Sequence, residues 1–313
     1  MADWDGTGLP PAAQARIDRA AAGHMRSSLL SVRGDAALQS AGLDPVGEVM
    51  GSIVNQLGWA GWGGCGFVSN YGRMAGGYST YGSRYGGFGI PPTPVTSGQS
   101  GQWRGFAPYV NALYKGYETA LHRALLEAQA LEADGIVGIT VTRERLGDGA
   151  AWEYVVRGTA VRARSRQRPT HLFSTDLSGA DVAKLMHAGW APVSLMWGIS
   201  VAIRHDDYAT RMASRPWTNQ NIEVPGYTDL VLHTRADARH QLENKVAKYG
   251  ADSAIVSGMS LQVWGMECRS GGQHDHVAEA VIVGTGLAKF HAGTQARTDS
   301  ITVMPLRKPR EKQ

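Results

Sequence analysis

One stretch of this chain is written twice. Ala36, Leu38, Ala41, Gly42, Pro45, Val46 and Gly51 have the same spacing as Ala183, Leu185, Ala188, Gly189, Pro192, Val193 and Gly198, with no gap needed. The echo returns downstream in Ala133-Asp134 and Ala251-Asp252, then in Gly158-Thr159 and Gly284-Thr285. A duplicated domain constrains the fold strongly. Each copy is too small to bury much of its own surface, so the copies must pack on something.

Along the chain this predicts an arm over 1–24, a first copy over 25–164, a second over 170–291, and a strand with a basic tail over 292–313. In the arm, Pro10-Pro11 marks a turn before an alanine- and arginine-rich helix over 12–22. Trp4 stands in a polar setting there, as an anchor for another surface or for its own domain. In the first copy, Ser28 to Arg33 reads as a strand, Asp35 to Ala41 as a short helix and Val46 to Leu57 as a second strand. A glycine- and tyrosine-rich insertion follows over 58–105, a length of loop that is normally functional or disordered, and is read as ordering against a neighbour. Trp59, Trp62, Tyr78, Tyr81, Tyr85 and Phe88 give it something to bury, so together with Trp4 they are the candidate assembly contacts.

Next, Val110, Leu113, Tyr114, Tyr117, Leu121, Ala124, Leu125, Ala128 and Leu131 recur at three- and four-residue steps, which predicts a long helix with one apolar stripe. Glu118, His122, Arg123 and Glu127 fall on its other side. Gly147-Asp148-Gly149 between two β-rich runs predicts a hairpin. The second copy repeats the order: a short strand over 172–175, a helix over 179–188, a strand over 190–204, a helix over about 227–249 and a hairpin over 254–290. Its loop over 206–224 is shorter and lacks the glycine tract.

The order strand, long helix, Ala-Asp turn into a hairpin and Gly-Thr ending resembles the YbjQ-like domain, a small family labelled for heavy-metal binding. In the first copy the matching residues are Gly47-Glu48-Val49-Met50-Gly51, Ala124 to Ala130, Ala133-Asp134-Gly135-Ile136-Val137-Gly138-Ile139 and Gly158-Thr159-Ala160-Val161. In the second they are Gly250-Ala251-Asp252-Ser253-Ala254-Ile255-Val256 and Gly284-Thr285-Gly286, with Ser194 replacing the family's first glycine. The resemblance implies an α+β fold of two tandem YbjQ-like domains. Each would be an antiparallel sheet covered by one long helix, and the domains would assemble into five-membered rings. Five is odd, so whole two-copy chains cannot fill one flat ring. A homopentamer of two-tier chains satisfies closure.

His274-Asp275-His276 is the metal candidate, because alternate strand residues share a face and both imidazoles could reach one ion. Cys268 lies across the same turn and completes the candidate set. The turn is glycine-rich and the first copy has no equivalent, so polar surface is the competing reading. Cys65 between glycines is a reactive thiol or a small space-filler. No nucleophile has a credible partner, and no Gly-x-Ser-x-Gly elbow or phosphate loop is present.

Hydrophobic residues make up 43% and charged residues 19%, as in a soluble globular protein. The net charge of +4 is mild, and much of it sits in the tail at Arg307, Lys308, Arg310 and Lys312. That argues against a nucleic-acid partner. Two cysteines, one in each half, make no disulfide framework. The first residues lack a secretion signal, and no apolar stretch suffices to span a bilayer. The expectation is therefore a non-enzymatic cytoplasmic protein that assembles with itself as a scaffold or shell-like block and also meets an unidentified protein partner. A metal- or ligand-binding protein at subunit boundaries, holding a transition metal, is the alternative.

Overall fold

The computed structural model describes residues 4, 8–22, 27–57, 94–97, 107–147, 150–166, 168–214, 221–267 and 274–290. Its helices are α1 (Pro11–Ala21), α2 (Val32–Ser40), α3 (Ala107–Ala130), α4 (Gly179–His187), α5 (Tyr208–Ala213) and α6 (Pro225–Lys248). Its strands are β1 (Leu43–Gln56), β2 (Val95–Thr96), β3 (Gly135–Arg145), β4 (Ala151–Ala163), β5 (Phe173–Ser174), β6 (Trp190–His205), β7 (Ser253–Glu267) and β8 (His274–Lys289). Among the described residues they form an α+β fold with two four-stranded sheets, ordered β1-β4-β3-β5 and β2-β6-β8-β7.

The sequence echoes are the joints of these elements. Ser31 and Ser178 both cap a nine-residue helix, accepting from Gly34 N and Asp181 N. Gly42 and Gly189 follow those helices at φ +82° and +81°, a left-handed turn that suits glycine. Asp134 Oδ2 accepts from Ala163 N at 2.7 Å, and Asp252 Oδ2 accepts from Lys289 N at 2.9 Å. Thr159 and Thr285 direct their hydroxyls at Ser28 and Thr175, the residues three before each cap. Both long strands carry an irregularity after the shared proline, between Pro45 and Gly47 and between Pro192 and Ser194.

Three expectations change. Ser28 to Arg33 is not a strand: Ser31 caps the helix that starts at Val32, so Val32 and Arg33 are helical. The first sheet is not purely antiparallel, because β5 from the second half adds to β3 in parallel. The insertion is not all loop, because its Val95 and Thr96 pair with Ile203 and Ala202 of β6.

The long helix α3 also does more than cover one sheet. It packs on β1 and β4 of the first sheet and also on β6 of the second. Tyr117 touches both sides, edge-on to Tyr154 of β4 (4.9 Å) and stacked on Trp197 of β6 (5.4 Å). One core therefore runs through both halves, from Val49 and Ile136 to Ile199 and Val281. Helix α6 covers the opposite part of the second sheet, packing on β6 and β8. Sandwiched in this way, β6 is buried without a break from Leu195 to Arg204. This explains its mainly apolar run from Leu195 to Ile203, in which Ser200 is the one polar side chain.

Candidate functional site

The metal candidate lies at the end of the β6–β8 pair. His205 faces Asp275 and Arg204 faces His276 in the ladder, so strand alternation sends the two imidazoles to opposite faces. His205 Nδ1 lies 2.6 Å from Asp275 Oδ1, and His276 Nδ1 lies 2.9 Å from Asp206 Oδ1. Both carboxylates are buried. Each carboxylate holds its ring through Nδ1, the kind of contact that orients metal-bound histidines. Gly265 on β7 stands opposite His276 in the ladder, where a methyl would make ordinary contact with Nε2 at 3.5 Å. Arg204 closes the corner through Thr210 (3.0 Å) and Asp207 (3.3 Å). The backbone of His274 begins β8, whereas Cys268 lies outside the described residues. Among the described residues no three His, Cys, Asp or Glu side chains converge as a metal group, so this part of the donor set supplies one imidazole, His276.

A buried ion pair joins the sheets. Arg143 of β3 reaches Glu279 of β8 at 2.7 Å, and Tyr109 of α3 donates to the same carboxylate at 2.6 Å. Arg143 also lies over the Trp152 ring, 4.8 Å from its centroid. Burial opposes the Arg143 charge, yet Glu279 beside it holds the guanidinium above its ordinary pKa. Burial pushes the phenols of Tyr109, Tyr117 and Tyr154 upward. Burial also pushes Tyr114 up to about 12, against its hydrogen bond with Ile199 N.

Beside this joint, a cleft of about 600 Å³ opens between α3, β6, α6 and the connection at His171 and Leu172. Leu121, Leu125 and Leu195 wall it. Lys245 bridges it to Glu118 at 2.5 Å and sits 3.9 Å from the Tyr114 ring centroid.

The arm folds back on its own unit. Arg16 grips Glu127 with two bonds of 2.7 and 2.8 Å, and Glu127 also accepts from Met50 N at the open edge of β1. Glu127 is thus fully buried, contrary to its place on the polar side in the helical reading. The signal for this lay outside the helix, in Arg16. Trp4 lies over Arg123, 4.6 Å from guanidinium to ring centroid. Within the chain, Trp4 thus meets α3 of the first half. Trp59, Trp62, Tyr78, Tyr81, Tyr85 and Phe88 lie outside the described residues.

The remaining feature is an edge. β7 is the last strand of its sheet, runs for 15 residues, and exposes Val256, Met259 and Val263. Long apolar edges of this kind pair with other chains unless blocked.

Residues 101–164, which take in α3, β3 and β4, match the YbjQ family, described as "Putative heavy-metal-binding". A second likeness is to a protein of Mycobacterium tuberculosis (strain ATCC 25618 / H37Rv) named "Encapsulin nanocompartment protein Rv1762c". It is 28% identical over 190 residues, which cover 58% of this chain and 68% of the relative. The YbjQ-like match falls on the helix-to-hairpin segment whose Ala-Asp and Gly-Thr pairs recur in the second half. No helix among the described residues is long and apolar enough to cross a membrane.

Proposed function

We propose that this chain is a non-enzymatic, cytoplasmic protein whose work is self-assembly, as a scaffold or shell-like building block. Both halves are read as YbjQ-like domains in tandem, with boundaries near 25–164 and 170–291. Five chains close the particle, each giving one domain to each of two tiers, and the insertion meets further particles or a partner. The observation that carries the reading is the long β7 edge, with exposed Val256, Met259 and Val263, that no strand covers among the described residues, whereas the equivalent strand β3 is covered by β5. The relative's name, which speaks of a nanocompartment, points the same way. Negative-stain electron microscopy of the purified chain tests it: closed particles of uniform size are expected, and a field of featureless 33.5 kDa monomers would refute it.

A second reading, a transition-metal protein, is favoured by one feature, the His276 ring held by Asp206 with its Nε2 beside Gly265. Elemental analysis after loading with zinc or copper tests it. Bound metal that disappears in His276→Ala supports this reading, and equal metal in both proteins ends it.

A further inference from the structure

The two units are equivalent, but the edges they present are not. Within the chain, residues 173–177 lie along β3. Phe173 N donates to Asp134 O at 3.1 Å, Thr175 N to Ile136 O at 3.0 Å, Gly138 N to Leu177 O at 3.1 Å and Ile139 N to Thr175 O at 3.0 Å. The equivalent of this segment in the first unit is residues 26–30, since Ser31 and Ser178 cap equivalent helices. Its described part, 27–30, has the same local build. Leu30 N donates to Ser28 Oγ at 3.2 Å, as Leu177 N donates to Thr175 Oγ1 at 3.1 Å. Ser28 meets the Thr159 hydroxyl at 3.5 Å, as Thr175 meets Thr285 at 2.9 Å.

One copy of the segment is covered and the other is bare. Thr175 is fully buried, whereas Ser27, Ser28 and Leu29 are exposed. The receiving edge is uneven in the same way. Asp252, Ala254, Val256 and Ser257 are the counterparts of Asp134, Ile136, Gly138 and Ile139, and among the described residues no strand lies outside β7. Ile136 is 0% exposed and Ile139 4%, while Val256 is 45% exposed. Among the described residues, one end of the chain therefore carries an exposed insert and the other an edge that no strand covers. Leu29 and Val32 add exposed apolar surface at the insert end.

We propose that residues 27–30 of one chain add in parallel to the β7 edge of a second copy, with Ser27 beside Ala254 as Ser174 stands beside Ile136. This rests on the self-assembly reading and names its contact. The contact is head to tail, so every pair keeps one free insert and one free edge, and growth stops only when a ring closes. Only the strand part of the internal joint is repeated. There, α2 and α4 touch through Gly34 and Gly179, and a methyl on Gly179 would collide with the Gly34 carbonyl. Asp181 and Val32 stand at the equivalent places and are too large for that approach.

The test uses the full chain with Cys65 and Cys268 changed to Ser, carrying Ser27→Cys, Ala254→Cys or both. Under mild oxidation the double variant should give a reducible ladder of linked chains. A mixture of the two single variants should give a two-chain product that neither gives alone. In the unaltered protein, the Val256 and Ser257 amides should exchange at least about 100-fold more slowly than in an unpaired edge. Fast exchange, or no linked product from a sample that light scattering finds oligomeric, overturns the edge pairing and leaves self-assembly standing. A monomeric unaltered protein overturns both.

Discussion

Gly51 and Gly198 fill the same notch in the two units. Each lies under its long helix, where a methyl would run into the Ala120 carbonyl in one case and the Ala238 carbonyl in the other. Helix and strand approach so closely there that only hydrogen fits. Gly51→Ala or Gly198→Ala should each cost about 3 kcal/mol or more, as overpacking with no room to relax. Thermal unfolding should report a similar loss at both positions, because the geometry is shared.

The pair Arg143–Glu279 should behave as a buried ion pair. Glu279→Gln or Arg143→Met alone strands a charge between the sheets and should cost about 3–5 kcal/mol. Changing both to Met should recover most of that loss. Denaturant unfolding of the two single variants and the double variant measures the coupling.

Alkaline pH should loosen the same joint. Tyr114 titrates at about 12 in the folded chain, and an unburied phenol titrates near 10. The folded state thus holds the proton more tightly, so stability is complete below pH 10 and is lost as the pH rises through 12. Tyr109, Tyr117 and Tyr154 shift in the same direction. The melting temperature should stay flat from pH 7 to 9 and fall steeply above 10, with phenolate absorbance appearing together with unfolding.

Shortening the insertion should separate two roles. Ser97 N donates to Val201 O, and Val201 N donates to Ser97 Oγ, so residues 94–97 protect the edge of β6. Removing 66–93 should leave the melting temperature within a few degrees, while removing 66–104 should lower it clearly and promote aggregation. Equal stability of the two deletions would show that the short strand is dispensable.

Much of this fold was legible in the residues. The Ala-Asp pairs mark carboxylates that cap the neighbouring strand end, and the Gly-Thr pairs mark a tight crossing followed by a hydroxyl. Their repetition located both hairpins. What escaped were features made by distant segments. Glu127 looks like solvent surface until Arg16 and Met50 meet it. Ser28 to Arg33 reads as a short strand, but the Ser31 cap starts a helix at Val32. The cleft and the double-sided burial of α3 depend on how the halves dock, which no helical period encodes. At the metal candidate, sequence spacing brought His274 and His276 together, whereas the carboxylates that orient His276 and His205 came from Asp206 and across the ladder.

The most direct test of the central claim is native mass spectrometry of the full chain at micromolar concentration. Self-assembly predicts one dominant species at a multiple of five of the 33.5 kDa chain mass. A single chain at 33.5 kDa, unchanged on raising the concentration, would contradict it.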